Sequence, residues 1–137
     1  MNMIKGNAVT EFYNVSHLKL HDMKYITVDE HLINMPRLTS LDLSRHNTNS
    51  YFAYPNIHSL TNLKTLSLSR GNSTINDNEL RKMTSLTSLD ISYNREITEY
   101  GIAPLTRLQY LHLPFSREED FDEYIKSTHT RTIQLVF

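Results

Sequence analysis

The chain has 137 residues and a formal net charge of −1, from 14 lysines and arginines against 15 aspartates and glutamates. The length fits one domain with its own core, and the near-neutral charge argues against a nucleic-acid partner. The absence of cysteine excludes disulfides and thiolate metal sites, and no apolar run approaches the about 18–20 residues of a membrane span, so we expect no membrane partner.

Residues 1–14 form an N-terminal segment that precedes any periodic pattern. Lys5 and Glu11 interrupt it, and it lacks the apolar stretch of a signal peptide, so we expect an intracellular protein, cytoplasmic or nuclear. Because Val9, Phe12 and Tyr13 are apolar or aromatic, the segment is a candidate cap for the structure that follows.

One motif, L-x-x-L-x-L, recurs through residues 15–137. Its clearest copies are Leu38–Leu43, Leu63–Leu68, Leu86–Ile91 and Leu108–Leu113, with weaker copies at Val15–Leu20 and Thr130–Leu135. The copies start at residues 15, 38, 63, 86, 108 and 130, in steps of 22 to 25 residues. Self-similarity at such a period is typical of a solenoid, so we interpret residues 15–137 as one repeat domain.

The spacing of the motif predicts one short strand in every repeat. In L-x-L the leucines point to one side of a strand and the residues between them to the other. Stacked repeats would bury the leucines and form about six parallel strands on a concave face. The segments between strands carry capping signals, in which Thr27, Asn76 and Ser116 are each followed three residues later by glutamate. We therefore predict short helices or turns on the convex face.

The repeats resemble the leucine-rich repeat family from about Val15 to Phe137. A second element, I-T-[DE]-x-x-[LI], is seen in variants at Ile26–Leu32, Ile75–Leu80 and Ile97–Ile102, and resembles the cysteine-containing subclass found in F-box-associated proteins. The resemblance implies an α/β leucine-rich repeat solenoid that binds a protein without catalysis or cofactor. The asparagine or cysteine that the family places after each strand is present in one repeat only, as Asn94.

The outward residues of the predicted strands are the candidates for function, because the leucines are assigned to the core. The predicted partner-binding set has two parts: charged, histidine and tyrosine residues on the strands, and an arginine and aromatic series just beyond them. The strand residues are Asp42, Asp90, Tyr110 and His112, and the series, here called the rim, is Arg45, Arg70, Tyr93 and Phe115. Arginine and tyrosine are enriched at binding hot spots, and arginine prefers acidic groups. Two alternatives stay open: the aromatics turn inward, or the arginines pair with nearby carboxylates.

The concave columns also bring together a serine, an aspartate and a histidine. Ser67, Asp90 and His112 fall on successive strands, so Asp90 stands between the other two. A catalytic triad needs the histidine in the middle, where it takes the serine proton. We therefore expect no enzyme activity, no cofactor and no metal site, and we interpret Asp90 and His112 as a surface pair.

The sequence does not identify the protein partner, and it is compatible with three functions. The first is a stand-alone protein-binding module. The second, suggested by the repeat subclass, is the substrate-recognition subunit of a ubiquitin ligase whose F-box-type part lies on another chain. The third is self-assembly through the last strand, Ile133–Phe137, which we predict to be an edge open to pairing.

Overall fold

A computed structural model describes residues 14–20, 35–44, 56–70, 75–127 and 133–136 of the chain. These residues contain six strands of three residues each, which form one parallel sheet in chain order. The strands are β1 (His17–Lys19), β2 (Ser40–Asp42), β3 (Thr65–Ser67), β4 (Ser88–Asp90), β5 (Tyr110–His112) and β6 (Gln134–Val136). The predicted α/β solenoid with one strand per repeat is confirmed.

The leucines of the motif form the core, as their alternation predicts. The central leucine of each strand pairs in register with that of the next strand, from Leu41 through Leu66 and Leu89 to Leu111. All four are buried. At the two ends of the stack Leu18 and Leu135 are only partly buried, because each has a neighbouring described strand on one side alone.

The register of β6 differs from the prediction. The sequence alignment placed Gln134 opposite His112, but the sheet pairs Val136 with His112 and Gln134 with Tyr110. The sixth copy of the motif is thus displaced by two residues from a start at residue 130. The preceding segment is the reason, because it holds helical turns at Phe115–Phe121, kinked at Arg117, and a helix, which lengthen the return to the sheet.

Short helical elements lie in the segments between the strands. They are a 3-10 turn at Ile57–Ser59, helix α1 (Asp77–Leu80), helix α2 (Glu99–Ile102), a second 3-10 element at Phe115–Phe121 and helix α3 (Asp122–Ser127). No helix in the described ranges has the length and apolar character needed to cross a membrane.

The capping signals are only partly realised. Asn76 caps α1, since its side-chain oxygen accepts from the backbone N–H groups of Asn78 and Glu79. The capping box also predicts that the Glu79 carboxylate accepts from the backbone N–H of Asn76. This prediction is wrong, because the carboxylate accepts from the ammonium group of Lys82 instead, at 3.0 Å. The predicted Ser116 cap is also wrong: the 3-10 element begins at Phe115, after Pro114. The signal at Thr27 lies outside the described residues.

A close contact joins α1 to α2. The carboxylate of Asp77 accepts from the backbone N–H of Thr98 at 2.9 Å and from its hydroxyl at 2.5 Å. Thr98 in turn caps α2, accepting from the N–H of Tyr100. At Gly101 a Cβ atom would lie 3.0 Å from the Cα of Asp77, so only glycine allows this approach without a shift.

The family's asparagine position is filled by different groups in neighbouring repeats. The buried Asn94 accepts from the backbone N–H groups of Glu96 and Ile97 at 2.9 and 3.1 Å. In the following repeat Ser116 is exposed, and Arg117 donates to the carbonyls of Asn94 and Ile97 at 3.2 and 3.1 Å. A long cationic side chain thus joins two repeats where a small amide is absent.

Candidate partner-binding surface

The outward residues of the six strands line one face of the sheet, here called the exposed sheet face. They form two columns in register across the strands. One is His17, Ser40, Thr65, Ser88, Tyr110 and Gln134; the other is Lys19, Asp42, Ser67, Asp90, His112 and Val136. The predicted strand residues of the binding set therefore lie on this face.

Asp90 is the best-connected side chain on the exposed sheet face. One carboxylate oxygen accepts from the backbone N–H and the hydroxyl of Ser92, at 2.9 and 2.6 Å. The other accepts from the hydroxyl of Ser67 at 3.3 Å. The ring Nδ1 of His112 lies 3.5 Å from the first oxygen, so the predicted Asp90–His112 pair is confirmed.

This order of groups does not provide an activated serine. The hydroxyls of Ser67 and Ser92 both donate to Asp90, while His112 contacts the same carboxylate from the next strand. The carboxylate therefore stands where a triad needs the imidazole. The cluster can orient His112 and hold the strands together, and its geometry gives no proton relay to a serine.

Asp42 shows that part of this carboxylate chemistry is structural. Its oxygen accepts from the N–H of Ser44 at 2.9 Å, as Asp90 does from Ser92. A short polar side chain that bonds the backbone two residues on is a common turn device. In these two repeats the aspartates stabilise the end of the strand, which leaves less of each carboxylate for a partner.

The described part of the rim is a stacked pair of exposed side chains. Arg70 and Tyr93 follow β3 and β4 at equivalent positions, and the Cζ atom of Arg70 lies 5.0 Å from the centroid of the Tyr93 ring. Tyr93 is 68% exposed, so the alternative that it turns inward is wrong. Within the described ranges Arg70 makes no ion pair with a carboxylate.

Both members of the stacked pair have left-handed backbone. Their φ angles are 60° for Arg70 and 61° for Tyr93. A residue with a Cβ adopts this region at a cost, and such strain is concentrated at functional positions. The equivalent residue of the next repeat, Phe115, begins the second 3-10 element; its side chain and the whole of Arg45 lie outside what the structure describes.

Two further exposed groups belong to the end of the face near β6. Tyr110 is 52% exposed and Val136 is 41% exposed. Tyr110 opens β5, whereas Tyr93 comes after the end of β4, so these tyrosines lie at opposite ends of their strands. The structure thus brings Asp90 to His112 and Arg70 to Tyr93, but places Tyr110 apart from the rim.

A second stacked pair was missed by the sequence analysis. Arg81 follows α1, and its Cζ atom lies 4.0 Å from the ring centroid of Tyr100 in α2; Tyr100 is 56% exposed. The signal was available, because α1 and α2 occupy equivalent parts of successive repeats. The repeat pattern aligns these helices, but it does not show that a side chain just after one helix reaches the ring of the next.

The described residues hold no group of three or more histidine, aspartate or glutamate side chains arranged to bind a metal ion. The chemistry that this surface offers is recognition by charge, hydrogen bonds and aromatic contact.

Comparison with known proteins gives a match in structure. The sequence matches no protein-family model and no curated protein. The solved structure of an internalin (inlF) from Listeria monocytogenes strain 4b F2365 is similar over 93% of this chain, with a TM-score of 0.61 and 22% sequence identity. The chain has a leucine-rich repeat fold.

The likeness to this leucine-rich repeat protein is one of architecture. The chain spans 36% of the internalin's length. At this level of identity the match establishes the leucine-rich repeat solenoid, while the cysteine-containing subclass stays a prediction.

Proposed function

We propose that this leucine-rich repeat solenoid is a non-catalytic interaction module that binds a protein partner through its concave face and the rim. The observation that carries the proposal is the Arg70–Tyr93 pair. Its side chains are exposed and stacked, and both residues hold a backbone conformation that costs about 1–2 kcal/mol each. Backbone strain of this kind is concentrated at functional positions, and its recurrence in two successive repeats supports a role in partner binding.

The residue types of the pair suit that role. Arginine and tyrosine are enriched among interface residues that dominate binding energy. A guanidinium held against a ring loses less conformational freedom on binding than a free one, so part of the entropic cost of association is already met. The stacked sheet beneath the pair, with buried leucines in register, provides a rigid base.

The test is affinity capture from cell lysate with a matched control. One variant carries Arg70→Glu and Tyr93→Ala; the control carries Arg81→Glu and Tyr100→Ala, which removes the stacked pair on the helix side. We expect a captured protein to be lost with the first variant and retained with the control. Retention by both variants, with folding verified by circular dichroism, would contradict the proposal.

Strand β6 is an edge of the sheet within the described residues, and this favours self-association as a second candidate. Leu135 of β6 is only partly buried and Val136 is 41% exposed, so an added strand would cover apolar surface. Light scattering over a range of concentrations checks this, with Val136→Lys as the disrupting variant. A mass that stays monomeric at high concentration would contradict it.

The repeat subclass carries one finer alternative. If the resemblance to F-box-associated proteins holds, the module is the substrate-recognition subunit of a ubiquitin ligase, with the F-box-type part on another chain. Co-purification of ligase subunits with the captured partner is the check. An intracellular location, cytoplasmic or nuclear, is part of the same proposal and is tested by imaging a tagged chain.

A further inference from the structure

The exposed sheet face carries aspartates, yet its central carboxylate is already satisfied. Asp90 accepts three hydrogen bonds from Ser67 and Ser92 and also faces His112. A cationic partner group would have to compete with these donors for the carboxylate. Among the described residues, the groups that can offer donors to a partner are the guanidinium of Arg70 and the edge of His112 that faces away from Asp90.

We propose that an extended, acidic segment of the partner binds across β3 to β5 and is held at two anchors, Arg70 and His112. This inference rests on the proposed function and specifies the chemistry of the partner. It adds a second anchor on the strands to the rim, and it fixes the distance between the two acidic groups that the surface selects.

The first anchor is the guanidinium of Arg70. Its Cζ atom lies 5.0 Å from the centroid of the exposed Tyr93 ring. No described carboxylate forms an ion pair with it. A planar fork of donors beside an aromatic ring fits a carboxylate in bidentate fashion, which an ammonium group cannot reproduce.

The second anchor is His112, held by Asp90. The Nδ1 edge of the ring faces the carboxylate at 3.5 Å, and the side chain is 39% exposed. The neighbouring position on β6 is Val136, so Asp90 on β4 is the charged group that faces the ring from the adjacent strands. Nε2 lies on the far edge of the ring, where it can contact an acidic group of the partner.

The geometry of the sheet sets the distance between the anchors. Arg70 and His112 are separated by two strand spacings across the sheet and by three residue positions along it. With about 4.8 Å per strand, their backbones are about 10 Å apart across the sheet, so an extended segment needs at least about three residues to join them. Residues an even number apart point to the same side of an extended segment, so a spacing of about four lets both acidic groups face the sheet.

The experiment selects binders from a displayed library of random linear peptides, using the full chain as bait. We expect the enriched peptides to carry two acidic residues about four positions apart. Replacing either acidic residue with its amide in a synthetic winner should weaken binding about ten- to hundredfold. If the enriched peptides show no acidic pair, or if no peptide is enriched, the inference is overturned.

Variants of the bait separate the two anchors. Arg70→Lys and His112→Phe should each weaken binding, because the first removes the planar fork of donors and the second removes the ring nitrogens while keeping an aromatic ring. Arg107→Lys makes the same exchange as Arg70→Lys at an exposed arginine three residues before β5; it is the matched control and should bind as wild type. Wild-type affinity in His112→Phe would overturn the His112 anchor.

The outcomes also distinguish this inference from the proposed function. Peptides that depend on Arg70 and Tyr93 but lack acidic residues would overturn the inference and leave the rim as a binding site. If binding is indifferent to every substitution on the rim and the sheet face, both fail.

Discussion

The guanidinium of Arg70 stacks 5.0 Å above the ring of Tyr93, and the two residues share a φ angle close to 60°. They are equivalent residues of successive repeats, and the backbone N–H of Arg70 donates to the carbonyl of Ser92, just before Tyr93. Two neighbouring strands therefore end in the same left-handed turn, and this turn directs both side chains to one rim. The stack is a consequence of backbone geometry as well as of side-chain attraction.

Because Tyr93 lies in a left-handed turn, the stability of a variant at this position should depend on which residue replaces the tyrosine. Tyr93→Val and Tyr93→Asn both remove the stacking with Arg70, but asparagine tolerates a positive φ and a β-branched residue does not. We expect Tyr93→Val to be about 1–2 kcal/mol less stable than Tyr93→Asn in urea unfolding. Equal stabilities would show that the turn is not left-handed in solution.

Gly101 is expected to be intolerant of substitution. In Gly101→Ala the added methyl would meet the backbone and carboxylate of Asp77, which is fixed by two hydrogen bonds from Thr98. Overpacking of this kind costs about 1–3 kcal/mol, measurable by thermal or urea unfolding. A partial rescue is expected in the double variant with Asp77→Ala, since the carboxylate is one of the two obstacles; strict additivity would argue against the contact.

Glu79 should stabilise the fold above acidic pH. Burial alone would raise the pKa of Glu79, but hydrogen bonds and charge from Lys82 and His58 outweigh it and lower the pKa below 4.5. The ionised form is thus favoured in the folded state, so its contribution is present above about pH 4.5 and is lost as the pH falls through the folded-state value. In Glu79→Gln we expect lower stability at pH 7 and a shallower loss in acid.

Exposed Glu96 offers the comparison for Glu79. Glu96→Gln makes the same exchange without the contact to Lys82 and His58, and it is measured beside Glu79→Gln by urea unfolding at several pH values. If the two variants give the same slope in acid, the contact of Glu79 with Lys82 and His58 does not persist in solution.

Glu99 should have the opposite effect. Burial and the nearby charges of Glu123 and Asp122 raise the pKa of Glu99, against a backbone hydrogen bond from Tyr124 that lowers it. Because the folded state favours the neutral form, stability falls as the pH rises through about 4.5 and the folded-state value, and the loss persists at neutral pH. Glu99→Gln should therefore be more stable than wild type at pH 7 and nearly equal to it in acid.

The repulsion at Glu99 can be tested from its neighbour. Glu123→Gln removes one of the charges that raise the pKa of Glu99, so it should give a smaller gain in stability at pH 7. A loss of stability in both variants would mean that Glu99 is favoured in its ionised form.

The neighbours of many outward-facing residues could be predicted from the sequence, because equivalent residues of successive repeats lie side by side in a parallel sheet. Once the leucines were aligned, Asp90 had to stand between Ser67 and His112, and the structure confirms it. The same logic failed at β6, where Val136 rather than Gln134 faces His112. The register of β6 depends on how the segment between β5 and β6 packs. The leucine spacing contains no information about that packing.

The sequence by itself determined which residues are core, that each repeat contributes one strand and which residues face outward, because burial of alternate leucines fixes the two faces of each strand. The tertiary structure alone decided that Arg70 stacks on Tyr93, that Arg117 bonds the carbonyls of the preceding repeat, and that Gly101 fits against Asp77. These contacts depend on backbone angles and distances of a few ångström between repeats. A pattern of residue types contains neither quantity.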